Sequence, residues 1–245
     1  MPDTEVPWAL LGEIYFAGEN WNAAKQAFAQ SVTIKPGFEN QHNLGSALYQ
    51  LGQFSEAAFY YWRAHEMRNE AYRYLSLYNY VQCQLQLGCY PDREIAELER
   101  ALADPLSEVA VEEMAGIYYQ RNQFANVVDA YADTKLVISP RWILPYYYSL
   151  LQCNLAEIAA VLKDKVMNHT AEQRRESEED DDAEFTWEER QNYLAEMDAD
   201  KQKYLEGFAA IEASGYRPQF TFEPGMEAKC HLFGCLRHAN ANYAG

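Results

Sequence analysis

Apolar and small residues recur along the first 140 positions at helical spacing, interrupted by short polar, Gly or Pro stretches. The clearest stretch reads Trp8-x-x-Leu11-Gly12-x-x-Tyr15, followed by Trp21, Ala24, Phe28 and Pro36. Leu44-Gly45 comes 33 positions after Leu11-Gly12, and Gly52, Phe54, Ala57, Tyr61 and Ala64 follow. Gly88 and Tyr90 stand 36 positions after Gly52 and Phe54; Ile95, Leu98, Ala101 and Leu102 come next, and Pro105 closes the stretch. This third copy is degenerate, because its small residue is displaced near Arg93. A fourth copy holds Met114-Ala115, Tyr118, Phe124, Val127 and Tyr131 and ends at Pro140; its Phe124 lies 34 positions after Tyr90.

Each copy predicts a helical hairpin. The small residues (Gly12, Ala24, Gly45, Ala57, Ala115) let two helices approach closely, and the aromatics (Tyr15, Phe28, Tyr61, Tyr118, Tyr131) fill the grooves beside them. Gly52-Gln53-Phe54-Ser55-Glu56 reads as the turn within the second hairpin, while Lys35-Pro36-Gly37 and Asp104-Pro105 stop helices. Period and residue types together resemble the tetratricopeptide repeat, most closely over residues 5–72. The resemblance implies an all-α chain: a right-handed superhelical solenoid of four hairpins (5–37, 38–72, 73–107, 108–140) with a helical C-terminal extension.

Beyond 140 the repeat signature is lost. Trp142, Ile143, Tyr146, Tyr147 and Leu150 form one stripe, and Leu155, Ile158, Ala159 and Leu162 another, so 141–167 reads as a capping helical pair. Between Glu176 and Glu184 seven of nine residues are acidic, and 168–185 reads as an acidic, flexible linker. Residues 186–245 read as a long helix and a tail. Thr186-Trp187-Glu188-Glu189 has the form of a capping box. Trp187, Leu194, Met197, Tyr204, Leu205, Phe208 and Ile211 then recur at helical spacing, with Gly215 and Pro218 marking the stop. That stripe needs cover, and the expectation is that the helix folds back on the repeats, as a plain cap or as a stopper over the groove.

Charge narrows the function classes. The net charge is -17, and residues 168–206 hold 14 acids against 5 bases. A surface this acidic repels phosphate backbones, so no nucleic-acid partner is expected. Hydrophobic content of 49% and aromatic content of 14% are too high for disorder throughout. No apolar run is long enough for a membrane span, and Met1-Pro2-Asp3-Thr4-Glu5 lacks the basic start of a signal peptide. Five Cys without a framework spacing suit a reducing, cytoplasmic setting.

The tail clusters Cys230, His231, Cys235 and His238. Their C-H-x3-C-x2-H spacing lacks a CxxC pair, so an ordinary apolar helix is preferred over a zinc site and no cofactor is expected. A Gly-rich phosphate loop, a G-x-S-x-G elbow and an H-E-x-x-H helix are all missing, so no enzyme is expected.

In the family that the repeats resemble, the first helix of each hairpin lines a concave groove. Carried over to this chain, the partner-binding candidates are Glu13 and Phe16; His42, Asn43, Ser46 and Tyr49; Tyr78, Asn79 and Gln82; and Glu112 and Tyr119. Asn43 and Asn79 share one repeat position and are expected to bind ligand rather than hold the fold, since an amide both donates and accepts. Phe16, Tyr49, Tyr78 and Tyr119 offer rigid contact area. Where the family's chaperone-tail clamps carry Lys or Arg, this chain has Ala9, Glu13 and Leu75, which favours neutral or basic peptides over acidic tails. The expected function is a non-catalytic protein–protein interaction module, an adaptor or a dedicated chaperone. A weaker resemblance is to the translocator chaperones of type III secretion. The alternative is an immunity- or antitoxin-like inhibitor that masks a basic toxin.

Overall fold

In a computed structural model the structure describes residues 4–67, 74–102, 111–132, 140–179, 186–222 and 224. Among these residues the chain is all-α. Eleven helices follow one another: α1 (Val6–Ala17), α2 (Trp21–Ile34), α3 (Phe38–Gln50), α4 (Phe54–Glu66), α5 (Leu75–Gln86), α6 (Asp92–Leu102), α7 (Val111–Gln120), α8 (Phe124–Ala132), α9 (Pro140–Gln152), α10 (Ala156–Glu179) and α11 (Trp187–Ser214).

The hairpin turns show the internal repeat most directly. One residue with a left-handed backbone follows the first helix of each pair: Glu19 (φ 57°), Gly52 (71°), Gly88 (74°), Asn122 (60°) and Asn154 (60°). The next amide then reaches back to a carbonyl five residues earlier. Asn20 N donates to Tyr15 O (2.8 Å), Gln53 N to Leu48 O (2.9 Å), Cys89 N to Gln84 O (2.8 Å), Gln123 N to Tyr118 O (2.9 Å) and Leu155 N to Leu150 O (2.9 Å). This bond and the left-handed residue together end the helix and reverse the chain. The α9/α10 pair shares the turn although its side chains lack the repeat signature.

Two compact units make up the chain. The first comprises residues up to Glu113 together with the chain from Phe222; the second is Met114–Thr221. The division falls inside α7, within the repeat expected over 108–140.

In the first unit, Phe28 and Tyr61 are fully buried against Gly12 and Gly45. A methyl group at Gly12 would stand 2.5 Å from Phe28 Cδ1, and one at Gly45 would stand 2.9 Å from Tyr61 Cδ1. The Leu-Gly positions therefore need glycine because the ring of the following helix lies flat on the backbone. Ile95, Leu98 and Ala101 form the buried stripe of α6, although this copy is degenerate.

In the second unit, Ile143, Tyr147, Leu150, Ala159, Phe208 and Ile211 form one core from α9, α10 and α11. Gly207 admits Leu144 at this crossing, where a methyl group would stand 2.4 Å from Leu144 Cδ1. Lys163 Nζ (2.7 Å) and Tyr147 Oη (2.6 Å) both donate to Glu212 Oε1, joining the same three helices. Thr186 and Glu189 form the expected capping box, with Glu189 N donating to Thr186 Oγ1 (3.2 Å) and Thr186 N to Glu189 Oε2 (2.9 Å).

Two expectations need correction. The segment 168–185 is not a linker over its first part, because α10 continues as helix to Glu179. Ion pairs offset its charge: Arg174 bonds Glu178 on its own helix and Asp198 on α11 (2.6 Å). Ile158, Trp187 and Leu205 are exposed, so the apolar stripes of α10 and α11 are narrower than their sequences suggest. A two-helix contact buries a seam of residues, not half of each helix. Within the second unit, α11 packs on α9 and α10.

Candidate functional site

The sequence-derived candidates lie on the first helices of successive hairpins. In the first unit, α3 is buried almost from end to end, and its polar residues are enclosed with it. His42 (0% exposed), Asn43 (2%) and Ser46 (0%) are buried, and His42 and Ser46 join a network shared with α4 and α5. His42 Nδ1 lies 2.8 Å from Ser76 Oγ, and Asn79 Nδ2 lies 3.5 Å from His42 Nε2. Tyr61 Oη donates to Ser46 Oγ (3.0 Å), and Ser46 Oγ donates to the His42 carbonyl (3.3 Å). Burial pushes the Tyr61 hydroxyl well above its ordinary pKa, so it stays a neutral donor.

Asn79 lies inside this network. Its amide is enclosed and ties α5 to α3, so it helps to hold the fold. Gln82 is fully buried on the same helix. His42 of α3 meets Ser76 and Asn79 of α5, so these enclosed polar residues satisfy one another. Phe16 is also buried, edge-on to Trp21 at 4.8 Å, while Glu13 and Glu112 are half-buried.

Tyr49 and Tyr78 both meet the ring of Phe222, a residue beyond α11. The Phe222 ring stands edge-on to Tyr49 (5.0 Å, 88°) and to Tyr78 (5.3 Å, 84°). Phe54 closes the far side of Tyr49 at 5.0 Å.

The second unit holds a fuller version of such a contact. α11 ends at Gly215 in a left-handed cap, and Tyr216–Thr221 continues without helix. This segment lies on α7 and α9. Tyr119 Oη donates to the Pro218 carbonyl at 2.7 Å. Arg217 Nη2 donates to the Tyr119 carbonyl at 2.6 Å, and its guanidinium sits over the Tyr119 ring at 4.8 Å and near Phe124 at 5.8 Å. Phe220 stacks on Trp142 (4.7 Å, 28°). Gly116 makes room for that ring: a methyl group there would stand 2.7 Å from Phe220 Cζ.

The electrostatics suit a neutral tyrosine. Burial pushes the Tyr119 hydroxyl well above its ordinary pKa, and Arg217 pulls the other way. One polar group is left over: Trp142 Nε1 is buried without an acceptor, which costs roughly 1–3 kcal/mol. The outer side of the segment borders an open pocket of about 430 Å³, with Arg141, Lys203 and Tyr204 on its wall.

The residues that complete both contacts, Arg217, Pro218, Phe220 and Phe222, are absent from the sequence-derived set. A signal for them exists. Two aromatics alternate directly after a helix stop, in a segment with no helical partner to cover them.

Among the described residues, no group of three or more His, Cys, Asp or Glu side chains could hold a metal ion, and no helix is long and apolar enough to cross a membrane. Cys230, His231, Cys235 and His238 lie outside the described residues.

No family model matches the chain, and no curated protein matches it. Among solved structures, a TPR repeats protein from Bacteroides fragilis NCTC 9343 is similar at 15% identity, over 87% of this chain and 93% of that one, with a TM-score of 0.37.

Proposed function

We propose that this chain is a non-catalytic protein-interaction module, an adaptor or dedicated chaperone, that holds an extended segment of a protein partner against the first helices of its hairpins. One observation carries the reading. The chain seats a non-helical segment of its own on those helices, through a side-chain hydrogen bond to a backbone carbonyl and through aromatic stacking. A backbone contact takes many sequences, and the ring contacts select among them. The net charge of -17 favours a partner segment of neutral or basic character.

The test is selection from a displayed library of random peptides. The targets are the full chain and the full chain carrying Phe220→Ala and Phe222→Ala. Enriched peptides should lose binding when Gly116→Ala, or Tyr49→Ala with Tyr78→Ala, is added. Failure of both targets to enrich any peptide sensitive to these substitutions would overturn the proposal.

A further inference from the structure

The contact around Gly116, Tyr119 and Trp142 is built in more detail than covering a chain end requires. An apolar ring alone would shield Trp142. Here the Tyr119 hydroxyl takes the Pro218 carbonyl, the Tyr119 carbonyl and ring take the Arg217 guanidinium, and the Trp142 indole takes the Phe220 ring. Pro218 is buried and has no N–H to satisfy, and its carbonyl takes the Tyr119 hydroxyl. Gln219 is exposed and makes none of these contacts. The pattern read by the helices is Arg-Pro-x-Phe.

Two further observations concern how this segment is joined to α11 and how it fits its site. Gly215 stands between it and α11 with φ +65° and nothing within 4 Å of where a side chain would be. The residues that anchor α11, Phe208 and Ile211, lie before that glycine. The anchors of α11 therefore do not include this segment. The buried Trp142 Nε1 also keeps no acceptor while the segment is in place, so a better ligand would offer it one.

We propose that Arg217–Phe220 is a built-in occupant of the α7/α9 site, and that the site's external ligand is an extended peptide of a partner protein carrying Arg-Pro-x-aromatic. The ligand displaces the chain's own segment, which sets a threshold for binding. This inference rests on the reading under Proposed function and narrows it to one site and one peptide class.

The experiment uses a fluorescein-labelled synthetic peptide with the sequence of residues 216–222, titrated by anisotropy into the full chain and into the full chain carrying Arg217→Ala and Phe220→Ala. The double variant should bind the probe at least ten-fold more tightly than wild type, because its own segment no longer competes. Adding Gly116→Ala should remove that gain, as should a probe with Ala in place of its first Phe. The alanine suits the helix better than glycine, so its loss of binding reports on the site and not on the fold. Should the double variant fail to fold, amide exchange of residues 216–222 in wild type decides: excess probe should speed it, and unchanged exchange would overturn the inference. If the double variant binds the probe no better than wild type, the segment is a structural strap. In that case, library peptides that still bind, and still depend on Gly116, would leave the interaction module standing. The absence of any such peptide would remove both.

Discussion

Tyr119 and Pro218 lie 99 positions apart in the chain, and the tyrosine hydroxyl donates a 2.7 Å hydrogen bond to the proline carbonyl. The bond joins α7, the first helix of the fourth hairpin, to the segment that follows α11. Tyr119→Phe keeps the ring and its stacking partners but leaves a buried carbonyl unpaired. Chemical denaturation should show a loss of about 1–2 kcal/mol. An unchanged midpoint would mean that water replaces the hydroxyl.

Glycine and ring are coupled at the second hairpin. Tyr61 is fully buried, and Tyr61→Ala should cost about 3–5 kcal/mol. Gly45→Ala forces a methyl group to 2.9 Å from that ring and should cost about 1–3 kcal/mol despite better helix propensity. In the double variant the methyl no longer meets a ring, so the combined loss should fall below the sum of the two. Additive losses would separate the residues energetically.

The five turns make a graded prediction. Glu19, Asn122 and Asn154 hold left-handed backbones without being glycine. Glu19→Gly should stabilise the chain by about 1 kcal/mol, and Asn122→Gly by less, because asparagine tolerates this region. Gly52→Ala should destabilise it by a similar amount. A melting-temperature series reads all three, and a drop for Glu19→Gly would refute the strain argument.

Acid should loosen the second unit through Glu212. The Lys163 ammonium and the Tyr147 hydroxyl, in that order, hold its carboxyl below the usual carboxylate range. The unfolded carboxyl binds its proton near pH ~4.3. The stabilisation is therefore complete above that value and is lost as pH falls through the lower folded pKa. The site is partly exposed, so screening limits the effect to about 0.5–1 kcal/mol. Glu212→Gln should lower the melting temperature at pH 7, and its gap from wild type should close below about pH 4. A gap that persists there would point to packing instead.

The helices, most of their buried stripes and the glycine–aromatic pairing were legible in the sequence, because they depend on residues within about one repeat length of each other. Leu11-Gly12 with Phe28, and Leu44-Gly45 with Tyr61, state the same local rule twice. The cap at Thr186 and Glu189 was legible for the same reason. Burial of the polar groove candidates was not. Whether His42 and Asn79 face a partner or each other depends on how closely α3 meets α5, which no single helix encodes. The turns at Glu19, Asn122 and Asn154 hide behind ordinary residues, since packing of the two helices imposes the left-handed backbone there without glycine. The seating of Arg217, Pro218 and Phe220 was decided by the tertiary structure alone. Its partners lie roughly 80 to 100 positions away, and only the assembled α7 and α9 present a bare glycine, a tyrosine hydroxyl and an indole face together.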